Sequence, residues 1–360
     1  MSKSIFVPAL PNSPLMSKSD EALHGEIHLR FNPELDFIEN YAFDPKKAAY
    51  DNNYQNSQAH SDIFNAHMKG MFGIIKKYIP KGGLVVEVGC GKGDFVELME
   101  SDSSFSVIGY DATYDGDNPL IEKRYLSFND KIDADFVILR HVLEHIQNPH
   151  AFLVLMQHVF GHVKIYIEVP NYSWIIENQA FYDITYEHVN YFTPYSLAYL
   201  FDHQIHNSGL CFNNQYQFLI ADLQLLSNTY QEQYLSNQWI DIDFYKTFHM
   251  LSEKILHIEK KIIESNKIYI WGASTKGCMF LVHCLDRSKI IDNIGFAIDI
   301  NPKKWGKYLP GSHVPIKSKD EFFHTVREED ILVIANPNYK DEIIFELTSQ
   351  KINNLIIITL

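Results

Sequence analysis

The 360-residue chain predicts an α/β protein of two successive units, each a parallel sheet covered by helices, behind a short irregular N-terminal segment. Three observations carry this. The apolar run "GLVVEVG" (Gly83–Gly89) leads straight into a glycine-punctuated turn, "CGKGDF". Buried runs then alternate with helical patterns, and the same plan restarts at "KIYIWGASTKG" (Lys267–Gly277). Such alternation argues for a doubly wound parallel sheet.

In chain order, residues 1 to about 55 are rich in Asn, Pro and Tyr and predict no regular element. Ile63, Phe64, Met68, Met71, Phe72 and Ile75 mark one side of a helix from about Ser61 to Ile79, which "PKGG" ends. "LVVEVG", "FSVIGYD", "DFVILR" and "VKIYIEVP" read as strands, with "DFVELME" and "NPHAFLVLMQHVF" as helices. From Pro194 to Gln238 the pattern loosens around a hairpin at "NNQYQFLIADLQLLS". The spacing of Phe244, Phe248, Leu251, Ile255, Ile258 and Ile262 predicts one long helix from about Ile240 to Ser265. "IGFAIDINP", "DILVIAN" and "NLIIITL" then supply strands of the second unit. The expected division is 1–80 (segment and helix), 81–238 (first α/β unit), 239–265 (linking helix) and 266–360 (second unit).

Composition narrows the function. A net charge of −14 disfavours DNA, RNA and anionic membranes as partners. Four cysteines (Cys90, Cys211, Cys278 and Cys284) form no C-x-x-C pair, so neither a disulfide framework nor a metal site is expected, and a reducing cytoplasm fits them. The start lacks the plan of a signal peptide, and no long apolar run suggests a membrane span. The 21 Tyr and 24 Phe suit either an aromatic core or a cleft that stacks on rings.

The first glycine turn spaces Gly89, Gly91 and Gly93 as G-x-G-x-G, not as the dinucleotide pattern G-x-G-x-x-G. Asp111 ends the second strand, where a carboxylate can accept from ribose hydroxyls. The fourth strand runs out through "DFVILRHVLEHI". Together these resemble the class I S-adenosylmethionine-dependent methyltransferases, whose cofactor motif Glu87, Gly89, Gly91 and Asp111 match; Arg140 is expected beside the cofactor. The acidic Glu87 suits a ligand that carries a sulfonium and an ammonium but no phosphate. A similar turn for another nucleotide stays open.

Two further stretches concern the acceptor: "FYDITYEHVNYFTP" (Phe181–Pro194) and the second unit, with "GASTKG", "DINPKKWGKYLPGSHVPI" and "ANPNYKDEI". Both resemble the nucleotide-sugar C-methyltransferases, which methylate a ring carbon of NDP-4-keto-deoxyhexoses, typically C3. The resemblance implies an active-site pair at Glu187 and His188 and a second imidazole at His145. One imidazole would remove the proton alpha to the ketone, with Glu187 orienting it or handling the enolate. Where the family has a tyrosine two residues before the glutamate, this chain has Thr185, so Tyr186 or Tyr182 is expected to substitute. The family's four-cysteine zinc module is absent, although "PALPNSPL" and "YQNSQAH" still resemble its N-terminal segment. Tyr54, Asn171 and Lys276 are expected to contact substrate, Lys276 where helix amides could receive a pyrophosphate. An O- or N-methyltransferase on a related nucleotide sugar, and an NAD-dependent oxidoreductase built on the second unit with Asp299 at its strand end, stay open as alternatives. Oligomeric state is not predicted.

Overall fold

The computed structural model describes residues 4–50, 53–57, 60–236, 238–263 and 266–360. Gln58 and Ala59 of "YQNSQAH", and Glu264 and Ser265 of the expected linking helix, lie outside the described residues.

The N-terminal segment is more ordered than its composition suggests. Ile5–Pro8 pairs antiparallel with His24–Ile27. Leu29–Asn32 and Phe37–Asn40 form a hairpin that gains Asn190–Phe192 on one edge and Ile240–Asp241 on the other. Each strand is at most four residues long, and the flanking partners come from far along the chain. Tertiary pairing rather than local preference therefore decides these strands.

The helix after it runs Asp62–Ile75, capped by the Ser61 side chain, and ends in a 3₁₀ turn at Lys76–Tyr78. A seven-stranded sheet follows. In the order of its strands along the chain, it reads third (Ile121–Glu122), second (Ser106–Tyr110), first (Leu84–Val88), fourth (Phe136–Arg140), fifth (Lys164–Pro170), seventh (Tyr216–Asp222), sixth (Ile205–Cys211). Only Tyr216–Asp222 runs against its neighbours. Alternate residues enter opposite cores: Val86, Val137 and Ile167 pack on one face, Val85, Phe136 and Tyr166 on the other. Burial on both faces explains why these strands read as continuous apolar runs.

The long linking helix is a correction. Ile240–Asp241 is a strand, Phe244–Thr247 a single turn capped by Asp243, and Leu251–Glu259 a separate helix. Phe248, at φ −99° and ψ 58°, leaves the helical region and breaks the run. The periodic residues Phe244, Phe248, Leu251, Ile255 and Ile258 are nonetheless all buried. The pattern marked the buried face but not the break.

The second unit is a five-stranded parallel sheet in the order Ile316–Lys317, Ile294–Ile298, Ile268–Trp271, Ile331–Ile334, Ile356–Thr359. In both sheets the strand order reverses beside the first strand, which places a ligand crevice at the strands' carboxyl ends. The two crevices open into one cavity. The turn after Ile205–Cys211 fastens the units together: Asn213 Nδ2 donates to Asn338 Oδ1 and Gln215 Nε2 to Asn336 Oδ1, each at 3.0 Å. No helix among the described residues is long and apolar enough to cross a membrane.

Candidate active site

The cavity measures about 310 Å³, near the lower end of small-ligand sites. Gly89 and Gly91 line it with positive φ of 75° and 58°, and Gly93 behind them has 86°, a region open mainly to glycine. A Cβ at Gly89 would stand 2.4 Å from Val142 Cγ2, so the strand exit at Val142 also demands glycine there. Asp111 braces the turn from the second strand. Its Oδ2 accepts from the Gly91 amide at 2.8 Å, and its Oδ1 from the Thr113 amide at 2.7 Å.

Glu87 and Arg140 line the cavity where the first and fourth strands end. Burial pushes the Glu87 carboxyl up to about 8, against the pull of Arg140, and its Oε2 has no hydrogen-bond partner among the described residues. Arg140 lays its guanidinium 4.3 Å over the Phe95 ring and donates from Nε to Glu168 Oε2 at 3.3 Å; its Nη2 likewise lacks a partner. Glu168, buried on the fifth strand, accepts from the Tyr166 hydroxyl at 2.6 Å and pairs with His67 Nε2 at 2.8 Å. Burial opposes its charge, but Arg140, His141 and His67 hold it well below the usual carboxylate range.

The next residue, His141, has a left-handed backbone at φ 53°. Its ring stands between Glu144 Oε1 (3.4 Å) and Glu168 Oε1 (3.3 Å). Burial opposes its charge too, yet the two carboxylates prevail and push it up to about 9. Glu144 is buried in the cavity wall, and neither of its oxygens finds a hydrogen bond among the described residues.

His145 ends a 3₁₀ turn at Leu143–His145. Its Nδ1 lies 2.8 Å from the Glu187 carbonyl oxygen and 2.9 Å from the Tyr50 hydroxyl. A carbonyl only accepts, so in the neutral ring Nδ1 carries the proton and Nε2 keeps a basic lone pair. The His188 ring meets it edge to face at 4.9 Å. Burial, then the charges of His145, His141 and Lys276, hold His188 well below its ordinary value, so it is neutral near pH 7. The buried Glu187 carboxylate accepts from the Tyr54 hydroxyl at 2.6 Å. Burial raises its pKa, against His145 and Tyr54.

Residues 64–204 match the methyltransferase domain family, and residues 226–357 match the family of C-methyltransferase C-terminal domains. The chain belongs to the S-adenosylmethionine-dependent C-methyltransferases. No curated protein matches it. Among solved structures, an S-adenosylmethionine-dependent methyltransferase from Aquifex aeolicus is 12% identical over 45% of this chain and 99% of its own, with a TM-score of 0.32. One from Archaeoglobus fulgidus is 18% identical over 46% and 96%, with a TM-score of 0.32. The cyclopropane synthase MmaA2 from Mycobacterium tuberculosis is 10% identical over 48% and 72%, with a TM-score of 0.35. Likenesses this distant carry no argument about substrate.

S-adenosylmethionine is the cofactor of this methyltransferase, and the first crevice fits it. The open Nη2 of Arg140 and Oε2 of Glu87 offer a cation and a carboxylate to an amino acid's two charged ends. Gly89 and Gly91 admit a close-lying ligand. Cys90 also lines the crevice, but burial pushes its thiol well up and leaves it inert.

The second crevice is lined by Trp271, Gly272, Ser274, Thr275, Lys276 and Tyr339, among others. Ser274 begins the helix Thr275–Val282 without a side-chain cap, so the first helix amides keep no side-chain acceptor there. Lys276 is ion-paired with Asp183, and its ammonium also lies 5.5 Å over the Tyr182 ring. Lys304 is buried beneath the turn, donating to the Ala273 carbonyl oxygen and Asp299 Oδ2, each at 3.1 Å.

The structure gathers Glu87, Gly89, Gly91, Arg140, His145, Glu187, His188, Tyr54 and Lys276 around one cavity. Four expected residues are placed elsewhere. Asp111 lies outside the lining and braces the glycine turn. Tyr186 is buried under the N-terminal segment, its hydroxyl accepting from the Asp44 amide at 2.7 Å and donating to the Asp44 carbonyl at 3.1 Å. Tyr182 is buried and also outside the lining. Asn171 caps the helix Tyr172–Glu177, donates to Asn214 O and lies outside the lining. Sequence reasoning missed His141, Glu144 and Tyr50. The first two lie in "RHVLEHI", where offsets of three and four along a tight turn bring His141, Glu144 and His145 together. Tyr50 gave no signal, because its partner is 95 residues away.

Proposed function

We propose that this C-methyltransferase acts on a nucleotide-linked 4-keto-deoxysugar and methylates the ring carbon beside the ketone, C3. The observation that carries the reading is His145, whose Nδ1 is tied to the Glu187 carbonyl so that Nε2 is free to take a proton inside the cavity that holds the cofactor crevice. A carbon alpha to a ketone becomes nucleophilic only once that proton is gone. The bound cofactor supplies the electrophilic methyl group.

In this reading His145 is the base and the neutral His188 ring its close partner, the two exchanging roles if the substrate enters from the opposite side. Glu187, which accepts from the Tyr54 hydroxyl, steadies the imidazolium that forms. The uncapped amides at Thr275 and the ring faces of Trp271 and Tyr339 suit a diphosphate and a base, respectively. Asp111 keeps the glycine turn open and acts through it on the cofactor. Lys304 disfavours the oxidoreductase alternative, because its ammonium already occupies the Asp299 carboxylate that a dinucleotide ribose would need.

The test incubates the purified protein with methyl-labelled cofactor and a panel of nucleotide-linked 4-keto-6-deoxysugars, then locates the label by NMR. Label on the carbon alpha to the ketone supports the reading. Label on oxygen or nitrogen, or none on any member of the panel, rejects it.

A further inference from the structure

We propose that Glu144, His145 and His188 form a binding site for one divalent transition-metal ion, and that loading this site silences the imidazole base. The silencing rests on the reading of His145 as base; the site itself does not.

Four observations converge on it. One donor atom from each of the three residues lies within 4.8 Å of the other two. Glu144 is 1% exposed, lines the cavity, and has two oxygens with no hydrogen-bond partner among the described residues. The His141 ring answers only Oε1, at 3.4 Å, and Oε2 is left for a further cation or donor. His145 is oriented from behind, its Nδ1 engaged by the Glu187 carbonyl and the Tyr50 hydroxyl. That is the arrangement that fixes a metal-ligating histidine and presents its other nitrogen. Finally, all three residues line the cavity, where small side-chain rotations would turn the Glu144 oxygens toward an entering ion.

Two imidazoles and one carboxylate select zinc, nickel, cobalt or iron over magnesium, which prefers oxygen ligands. Zinc ligands at about 2.1 Å stand roughly 3.4 Å apart in a tetrahedron, so modest side-chain rotations close the site. The other buried triad of this kind, His67, Glu168 and Cys211, is a poorer candidate. Its carboxylate already answers Arg140 and His67, and an added dication would face the guanidinium. At His145 the same Nε2 lone pair serves either a metal or a proton, so metal loading and proton removal exclude each other.

The experiment strips the full-length protein with a chelator and titrates it with zinc and, separately, with magnesium by calorimetry. Cobalt loading adds a visible-absorption readout. The expected result is saturable uptake of one zinc per chain, no magnesium uptake, and at least a tenfold weaker zinc affinity in both Glu144→Gln and His188→Gln, each checked for retained cofactor binding. Methyl transfer should fall as wild type fills with zinc and return with chelator, whereas Glu144→Gln should show the same turnover with and without it. Absent zinc uptake, or equal uptake in wild type and both variants, overturns the site. Full turnover in zinc-saturated wild type overturns the silencing. A metal-free enzyme that methylates none of the proposed sugars rejects the substrate reading instead, and the binding arm still decides the site.

Discussion

Lys304 Nζ lies 3.1 Å from Asp299 Oδ2, and both side chains are buried beneath the second glycine turn. The ammonium thus fills from inside the place where a dinucleotide ribose would meet that carboxylate. NADH should therefore show no saturable binding by fluorescence titration. Lys304→Met strands a buried carboxylate and should cost about 3–5 kcal/mol in chemical denaturation. The double variant Lys304→Met with Asp299→Asn should recover most of that loss. A double variant no more stable than the single one would show that the pair is not the cause.

Glu87 gives the pH dependence. Its folded-state carboxyl is pushed up to about 8, whereas an unfolded glutamate titrates near 4.3. Between those values the folded cofactor-free protein holds a proton that the unfolded chain has released. Stability from this group is then lost progressively as pH rises from roughly 4.3 to 8, and Glu87→Gln should flatten that slope. A cofactor ammonium favours the ionised carboxylate, so binding at pH 7 should release a proton and tighten as pH approaches 8. Calorimetry in buffers of different ionisation enthalpy measures the release. Zero release in wild type, or the same release in Glu87→Gln, would remove Glu87 from the cofactor's charged end.

Two tyrosines separate structural from functional hydroxyls. Tyr186→Phe leaves the Asp44 amide without its acceptor and should cost about 1–3 kcal/mol of stability with turnover unchanged. Tyr50→Phe removes a partner of His145 Nδ1 and should lower kcat roughly two- to tenfold with cofactor affinity unchanged. The opposite pattern, slow Tyr186→Phe and unaffected Tyr50→Phe, would return the catalytic phenol to the loop beyond the fifth strand.

That contrast shows what the sequence could carry. The two parallel sheets were legible because strands buried on both faces write apolar runs, and glycines with positive φ write fixed punctuation. The N-terminal strands were not, since four-residue strands acquire their order from partners such as Asn190–Phe192. Within the site, Glu187 and His188 were readable as neighbours, and His145 from the strand exit before it. Tyr186 misled because the turn at Tyr186 and Glu187 sends these adjacent side chains to opposite sides. Glu187 turns toward Tyr54 and the cavity, whereas Tyr186 turns toward Asp44 and the core. Asn171 misled differently, as a polar residue after a strand serves a helix cap as readily as a ligand.

The last prediction concerns the base itself. His145 Nε2 is free by the tautomer argument, and His188 is neutral because burial and neighbouring cations disfavour its protonated form. Both rings line the cavity 4.9 Å apart, and the same suppression of charge makes His188 the weaker proton acceptor. Removing a positioned general base costs roughly 10²–10⁴ in rate. Proton removal can be isolated from methyl transfer by following solvent-deuterium exchange at the alpha carbon of a 4-keto sugar nucleotide without cofactor. His145→Ala should slow that exchange by the stated factor while keeping cofactor affinity. His188→Ala should slow it less, because its ring lacks the carbonyl that fixes the His145 tautomer. A larger loss in His188→Ala would exchange the two roles. Wild-type exchange in both variants would exclude both rings, and the two carboxylates beside them, Glu187 and Glu144, would become the bases to test.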